Sequence, residues 1–110
     1  MKTVVALGHD GMGHGDAELG RRILATFLRK ALAIRGLTAI VLFNAGAKLV
    51  TPSSPVIAEL RALHEHGVDI RPCGTCIDAF NLRDQIAVGA ASNMDEIIAE
   101  MDRADKVVTL

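Results

Sequence analysis

The chain has 110 residues, a formal charge of −1 and three aromatic residues, all Phe. That argues against a nucleic-acid surface, which needs clustered Lys/Arg and rings on which bases can stack. No apolar run approaches the roughly 20 residues that span a bilayer. Apolar residues make up 50% of the chain, more than a domain of this size readily hides, so self-association is expected. Its only cysteines, Cys73 and Cys76, stand too close together to cross-link distant parts of a fold. No signal peptide precedes the first strand-like run, and a reducing, cytoplasmic setting is expected.

Val4 to Leu7 is a short, continuous apolar run, the pattern of a strand covered on both faces. The turn after it, Gly8 to Asp16, holds four glycines in nine positions and cannot be a helix interior. Asp16 reads as an N-cap. Leu19, Ile23, Leu24, Phe27, Leu28, Ala31 and Leu32 then recur at helical spacing, with Gly36 as the stop. Thr38 to Phe43 is the second predicted strand, and it runs into a loop from Asn44 to Thr51. Ser54-Pro55 has the form of an N-cap followed by proline in the first helical position. Val56, Ile57, Leu60 and Leu63 give that helix its buried stripe as far as Gly67.

Val68 to Pro72 is the third predicted strand, and it delivers Cys73 and Cys76 to the next turn. Ile77, Phe80, Leu82 and Ile86 suggest a short, irregular helix, followed by a brief strand over Ala87 to Ala91. Asn93 with Glu96 forms a capping-box pattern ahead of a helix carried by Met94, Ile97, Ile98 and Met101, and Lys106 to Thr109 is the fifth strand. Alternating strands and helices predict one domain, residues 1–110, with a mainly parallel five-stranded sheet covered on both faces. In such a sheet the loops after the first three strands emerge on one edge. Asp10 to Gly15, Asn44 to Lys48 and Cys73 to Cys76 are thereby expected in one neighbourhood. Asp10, Met12, Gly13, His14, Asn44 and Lys48 are the candidate substrate-binding residues beside the two cysteines.

A C-x-x-C pair serves several chemistries: a dithiol redox centre, half a zinc site, a sulfur carrier, or two inert thiols. A structural zinc site needs four ligands, and no second C-x-x-C exists, so no metal is expected; His9 and His14 could complete a set only by folding over the cysteines. No cofactor is expected either. Gly11, Gly13 and Gly15 alternate and miss the G-x-G-x-x-G spacing, and no Gly-Lys-Ser/Thr follows for a phosphate loop. Six residues separate Cys76 from Arg83, which does not fit a low-molecular-weight phosphatase loop. Gly74, Thr75 and the preceding Pro72 make the cysteine segment a turn, and backbone N–H groups at a helix start favour a thiolate.

Four separated stretches, D-G-M-G-H-G-D-A-E-L-G at Asp10 to Gly20, F-N-A-G-A-K-L at Phe43 to Leu49, P-C-G-T-C-I-D at Pro72 to Asp78, and the final N-M-D-E-I with A-D-K-V, together resemble the DsrE/DsrF-like sulfur-relay family. Within it the sequence looks most like the DsrE-like carboxyl-terminal domain of YedF-type, selenium-metabolism proteins. The resemblance implies a three-layer α/β/α sandwich and a cysteine that accepts sulfur as a persulfide and passes it on. Cys73 falls at the position of the family's relay cysteine, with Cys76 as a second thiol that resolves or shares the sulfur. It further implies sulfur donor and acceptor proteins, TusA-like ones among them, and assembly into trimers or hexamers. From the residues themselves two rival readings remain open: a non-catalytic assembly or regulatory subunit, and a dithiol redox switch.

Overall fold

The computed structural model describes all residues, 1–110. Strand β1, Thr3–Leu7, is buried at every position, as its unbroken apolar sequence requires of a strand covered on both faces. β2 (Leu37–Leu42) and β4 (Lys106–Thr109) flank it, and β3 (Asp69–Pro72) pairs with β2, giving the order β3-β2-β1-β4 with every pairing parallel. Side chains of alternate strand residues then divide between two cores. Val5, Leu7, Ile40, Leu42 and Ile70 meet Leu24, Leu28, Leu60 and Leu63, which belong to helices α1 (Ala17–Lys30) and α2 (Ile57–Glu65). Val4, Ala6, Ala39 and Val41 meet Ile97 of α4 (Met94–Arg103) on the opposite face. The result is a parallel sheet between two helical layers.

The sheet has four strands, not the five expected. The missing one is the run Ala87 to Ala91. It does lie along the outer edge of β3, where Ala90 N–H donates to Ile70 O at 3.4 Å and Ser92 N–H donates to Pro72 O at 2.8 Å. Only the single bridge between Cys73 and Ser92 results. Gly89, at φ +74 and with its α-carbon against the Ile70 carbonyl, turns the chain before a ladder can form. The segment covers the β3 edge without extending the sheet.

Asp16 caps α1 as expected, its carboxylate accepting from Leu19 N–H at 2.8 Å. The helix tightens into a 3₁₀ turn over Ala31–Ala33 before Gly36, which adopts φ +70 against the carbonyl of Met1. α2 begins two residues later than Ser54-Pro55 suggested: the Ser54 hydroxyl accepts from Val56 N–H at 3.2 Å, a local turn that delays the helix to Ile57. No helix is long and apolar enough to cross a membrane.

Candidate functional site

Because the strands are parallel, the loops that follow β1, β2 and β3 leave the same edge of the sheet. The loop after β2 is a 3₁₀ segment, Asn44–Val50, drawn against β1 by Gly46, where a side chain would collide with the Leu7 carbonyl. Asn44 opens it in the left-handed region, φ 51, which Asn tolerates better than most residues. That backbone places Asn44 N–H 3.1 Å from Cys76 Sγ, so the second loop holds the second cysteine directly.

The first cysteine is the N-cap residue of the short helix α3, Gly74–Ala79. Its amide donates to Leu42 O at 2.7 Å, which ties the turn to the end of β2. Gly74 N–H donates to Ser92 O at 2.7 Å, and a β-carbon at Gly74 would stand 2.5 Å from that oxygen, so this approach requires glycine. Cys73 is 3% exposed and packs among Val4, Ala6, Ala39, Val41 and Ile97. Cys76 is half-buried and touches both cores. Neither is disulfide-bonded.

The two thiols meet opposite electrostatics. Burial pushes the Cys73 thiol up, but donors outweigh it: the Cys76 amide and thiol and the Thr75 amide and hydroxyl all favour the thiolate, and the net shift is downward. At Cys76 burial again pushes upward. The Asn44 amide opposes it, the neighbouring Cys73 adds to it, and the net shift is upward. Cys73 is therefore the group that ionises first, with the Cys76 thiol as one of its donors.

Of the expected binding residues, the structure brings only Asn44 against this pair; Asp10 and Lys48 line a cleft that neither cysteine enters. Lys48 Nζ lies 4.4 Å from the centroid of the Phe80 ring, one helical turn beyond Cys76. Met12, Gly13 and His14 are placed differently. Met12 is half-buried against α1, its amide donating to Gly20 O at 3.0 Å. Gly13 and His14 are exposed and line a shallow depression of the first loop that neither cysteine reaches. No three His, Cys, Asp or Glu side chains converge as a metal site would require.

Sequence reasoning missed two neighbours of Cys73. Ser92, its bridge partner, has a hydroxyl that is buried without any hydrogen-bond partner. Arg83 binds Asp78 through two contacts, 2.8 and 2.7 Å, and reaches Gly74 O at 3.5 Å, bracing α3 from outside. Neither was marked in the sequence: a five-residue offset is not a helical pair spacing and Arg83 lies beyond the end of α3, while the place of Ser92 depends on where the chain crosses the β3 edge.

Comparison with protein families matches the DsrE/DsrF-like family over residues 1–110. No curated protein matches the sequence. Among solved structures, the YchN protein of E. coli superposes with a TM-score of 0.72 at 18% identity, covering 100% of both chains. Protein MTH1491 of Methanobacterium thermoautotrophicum, a protein of unknown function, gives 0.74 at 16% identity, covering 99% of this chain and 98% of its own. At such identities the likeness carries the fold alone.

Proposed function

The chain belongs to the DsrE/DsrF-like family, a family generally associated with sulfur relay, and from that premise we propose that it is a small cytoplasmic sulfur carrier working through a persulfide on Cys73. The observation that carries this reading is the placement of Cys73 as the N-cap residue of α3, three residues before a half-buried Cys76 that the Asn44 amide holds at 3.1 Å; the downward shift at Cys73 agrees with it. Cys73 thiolate attacks the terminal sulfur of a donor persulfide, R–S–SH. A bond forms from Cys73 Sγ to that sulfur, the donor's S–S bond breaks, and RS⁻ leaves, with no net oxidation. Transfer to an acceptor thiolate repeats the step with Cys73 as the leaving group. Alternatively Cys76 attacks Cys73 Sγ, forms an internal disulfide and releases hydrosulfide. Cys76 lies on the more exposed side of the pair, so donor and acceptor reach Cys73 past it.

Donor and acceptor are proposed to be proteins, TusA-like ones among them, and the working form a homo-oligomer, trimer or hexamer. Exposed Met94, Ile98 and Val107, and separately the unpaired edge of β4, support the second point. Asn44 and Lys48 are proposed to border the transfer path, with Asp10, Met12, Gly13 and His14 of the first loop contributing to partner or substrate contacts. Intact-mass analysis after exposure to a persulfide donor tests the carrier reading. Cys76→Ser, which lacks the resolving thiol, should gain one sulfur atom and Cys73→Ser should not; no gain in Cys76→Ser contradicts the reading. The contact between the two thiols also favours a second reading, a dithiol redox switch, which instead predicts reversible loss of both thiols with no added sulfur.

A further inference from the structure

We propose a second binding site, separate from the thiols, that takes a small organic molecule ending in a phosphate-like oxyanion. It is the cleft of about 350 Å³ between the first loop, the Asn44–Val50 segment and the end of α3, a volume in the range of ligand pockets. Neither cysteine lines it.

Three observations give the ligand its chemistry. First, the cleft holds two cations, Arg21 and Lys48, and neither pairs with a carboxylate. The cleft has one carboxylate, Asp10. Two cations against one carboxylate make a locally positive pocket in a chain whose net charge is −1. Second, Ser53 sets a hydroxyl at the cleft, 3.3 Å from that of Thr51; the Thr51 proton is committed to Lys48 O at 2.9 Å, so Ser53 is the hydroxyl free to turn toward a ligand. An oxyanion accepts from guanidinium, ammonium and hydroxyl donors alike. Third, Leu49, Phe80 and Leu82 give the cleft an apolar part, and the Lys48 ammonium stands 4.4 Å from the Phe80 ring centroid, which fixes the cation at the cleft beside that apolar lining.

The elements that build the cleft are those that hold Cys76: Asn44 and Lys48 share one segment, and Cys76 and Phe80 share a helical turn, Phe80 N–H donating to Cys76 O at 3.1 Å. Binding itself needs no sulfur chemistry, so the proposal stands or falls independently of the carrier reading.

Phenyl phosphate is a suitable probe, titrated into the full chain and followed by amide NMR. The expected result is saturable shifts centred on Lys48, Thr51 and Ser53, at least tenfold weaker binding in the R21Q/K48Q double variant, and unchanged binding in Arg61→Gln and in the C73S/C76S double variant. Non-saturating shifts, or equal affinity in R21Q/K48Q, overturn it. The spectra report at once whether each variant is folded, and inorganic phosphate should bind more weakly than the phenyl ester because it leaves the Phe80 wall uncovered.

Discussion

Cys73 and Cys76 are one helical turn apart and titrate in opposite directions, which makes their linkage to folding separable. For Cys73 the folded-state value is depressed, so its contribution to stability is present above the unfolded-state value and is lost as pH falls through the depressed one. For Cys76 the folded-state value is raised, so its contribution is present below the unfolded-state value and is lost as pH rises through the raised one. Cys76→Ser, which retains a hydroxyl donor toward Cys73, should therefore gain stability as pH rises through the thiol range, and Cys73→Ser should lose it. Urea denaturation across that range, with thiolate absorbance titrations of the same variants, checks both signs. Ser92 gives a second test at this scale. Its buried, unpartnered hydroxyl costs stability, so Ser92→Ala should stabilise the fold by about 1 kcal/mol, measured by denaturant unfolding. The C-x-x-C spacing and the turn residues around it made the cysteines legible in the sequence. The difference between them was not, because it depends on the Cys76 and Thr75 donors that outweigh burial at Cys73 and on the burial of Cys76, which outweighs the Asn44 amide; only the folded packing sets that balance.

The elements were legible where local chemistry decides them and less so where tertiary packing does. β4 occupies the predicted residues, β1 starts one residue early, β2 is shifted by one residue at both ends, and Asp16 and Asn93 cap the helices they were expected to cap. Asn93 accepts from Glu96 N–H at 2.9 Å, but the return arm differs from a capping box: Glu96 accepts from the Asn93 side-chain amide at 2.8 Å and also faces Arg71. Asn93→Ala should cost about 1 kcal/mol by thermal or denaturant unfolding, through loss of that cap. The fifth strand failed because Ala87 to Ala91 is set by contacts with the β3 edge and by Gly89, which an apolar pattern does not record. Gly74 joins that edge segment to the cysteine turn. Gly74→Ala should push Ser92 away, cost about 2 kcal/mol, and weaken the Cys73 thiolate by displacing α3, readable as an upward shift in its titration.

At the scale of the whole molecule, the order β3-β2-β1-β4 puts the cysteine turn at one end of the sheet and an open edge at β4. The β3 edge is covered by residues 90 to 92, while the β4 edge is unpaired and carries Val107, 40% exposed; the outer face of α4 presents Met94 and Ile98, 48% and 55% exposed. An unpaired strand and exposed apolar side chains each favour association with further copies. Ile98→Glu should shift the sedimentation velocity distribution toward monomer without loss of helical circular dichroism; an unchanged multimer would place the contact elsewhere. The apolar excess in the composition signalled this surface, though not its position. The arrangement of loops at one sheet edge followed from the strand and helix alternation, and it is what unites the Asn44 segment with Cys76. The claim on which the functional reading depends is that Cys73 accepts and releases sulfur. Incubation of the reduced protein with a persulfide donor, followed by peptide mapping by mass spectrometry, tests it most directly. The account predicts one added sulfur on the Cys73 peptide of Cys76→Ser, discharged by an acceptor thiol; an unmodified Cys73 peptide in that variant under conditions that load a free thiol would contradict it.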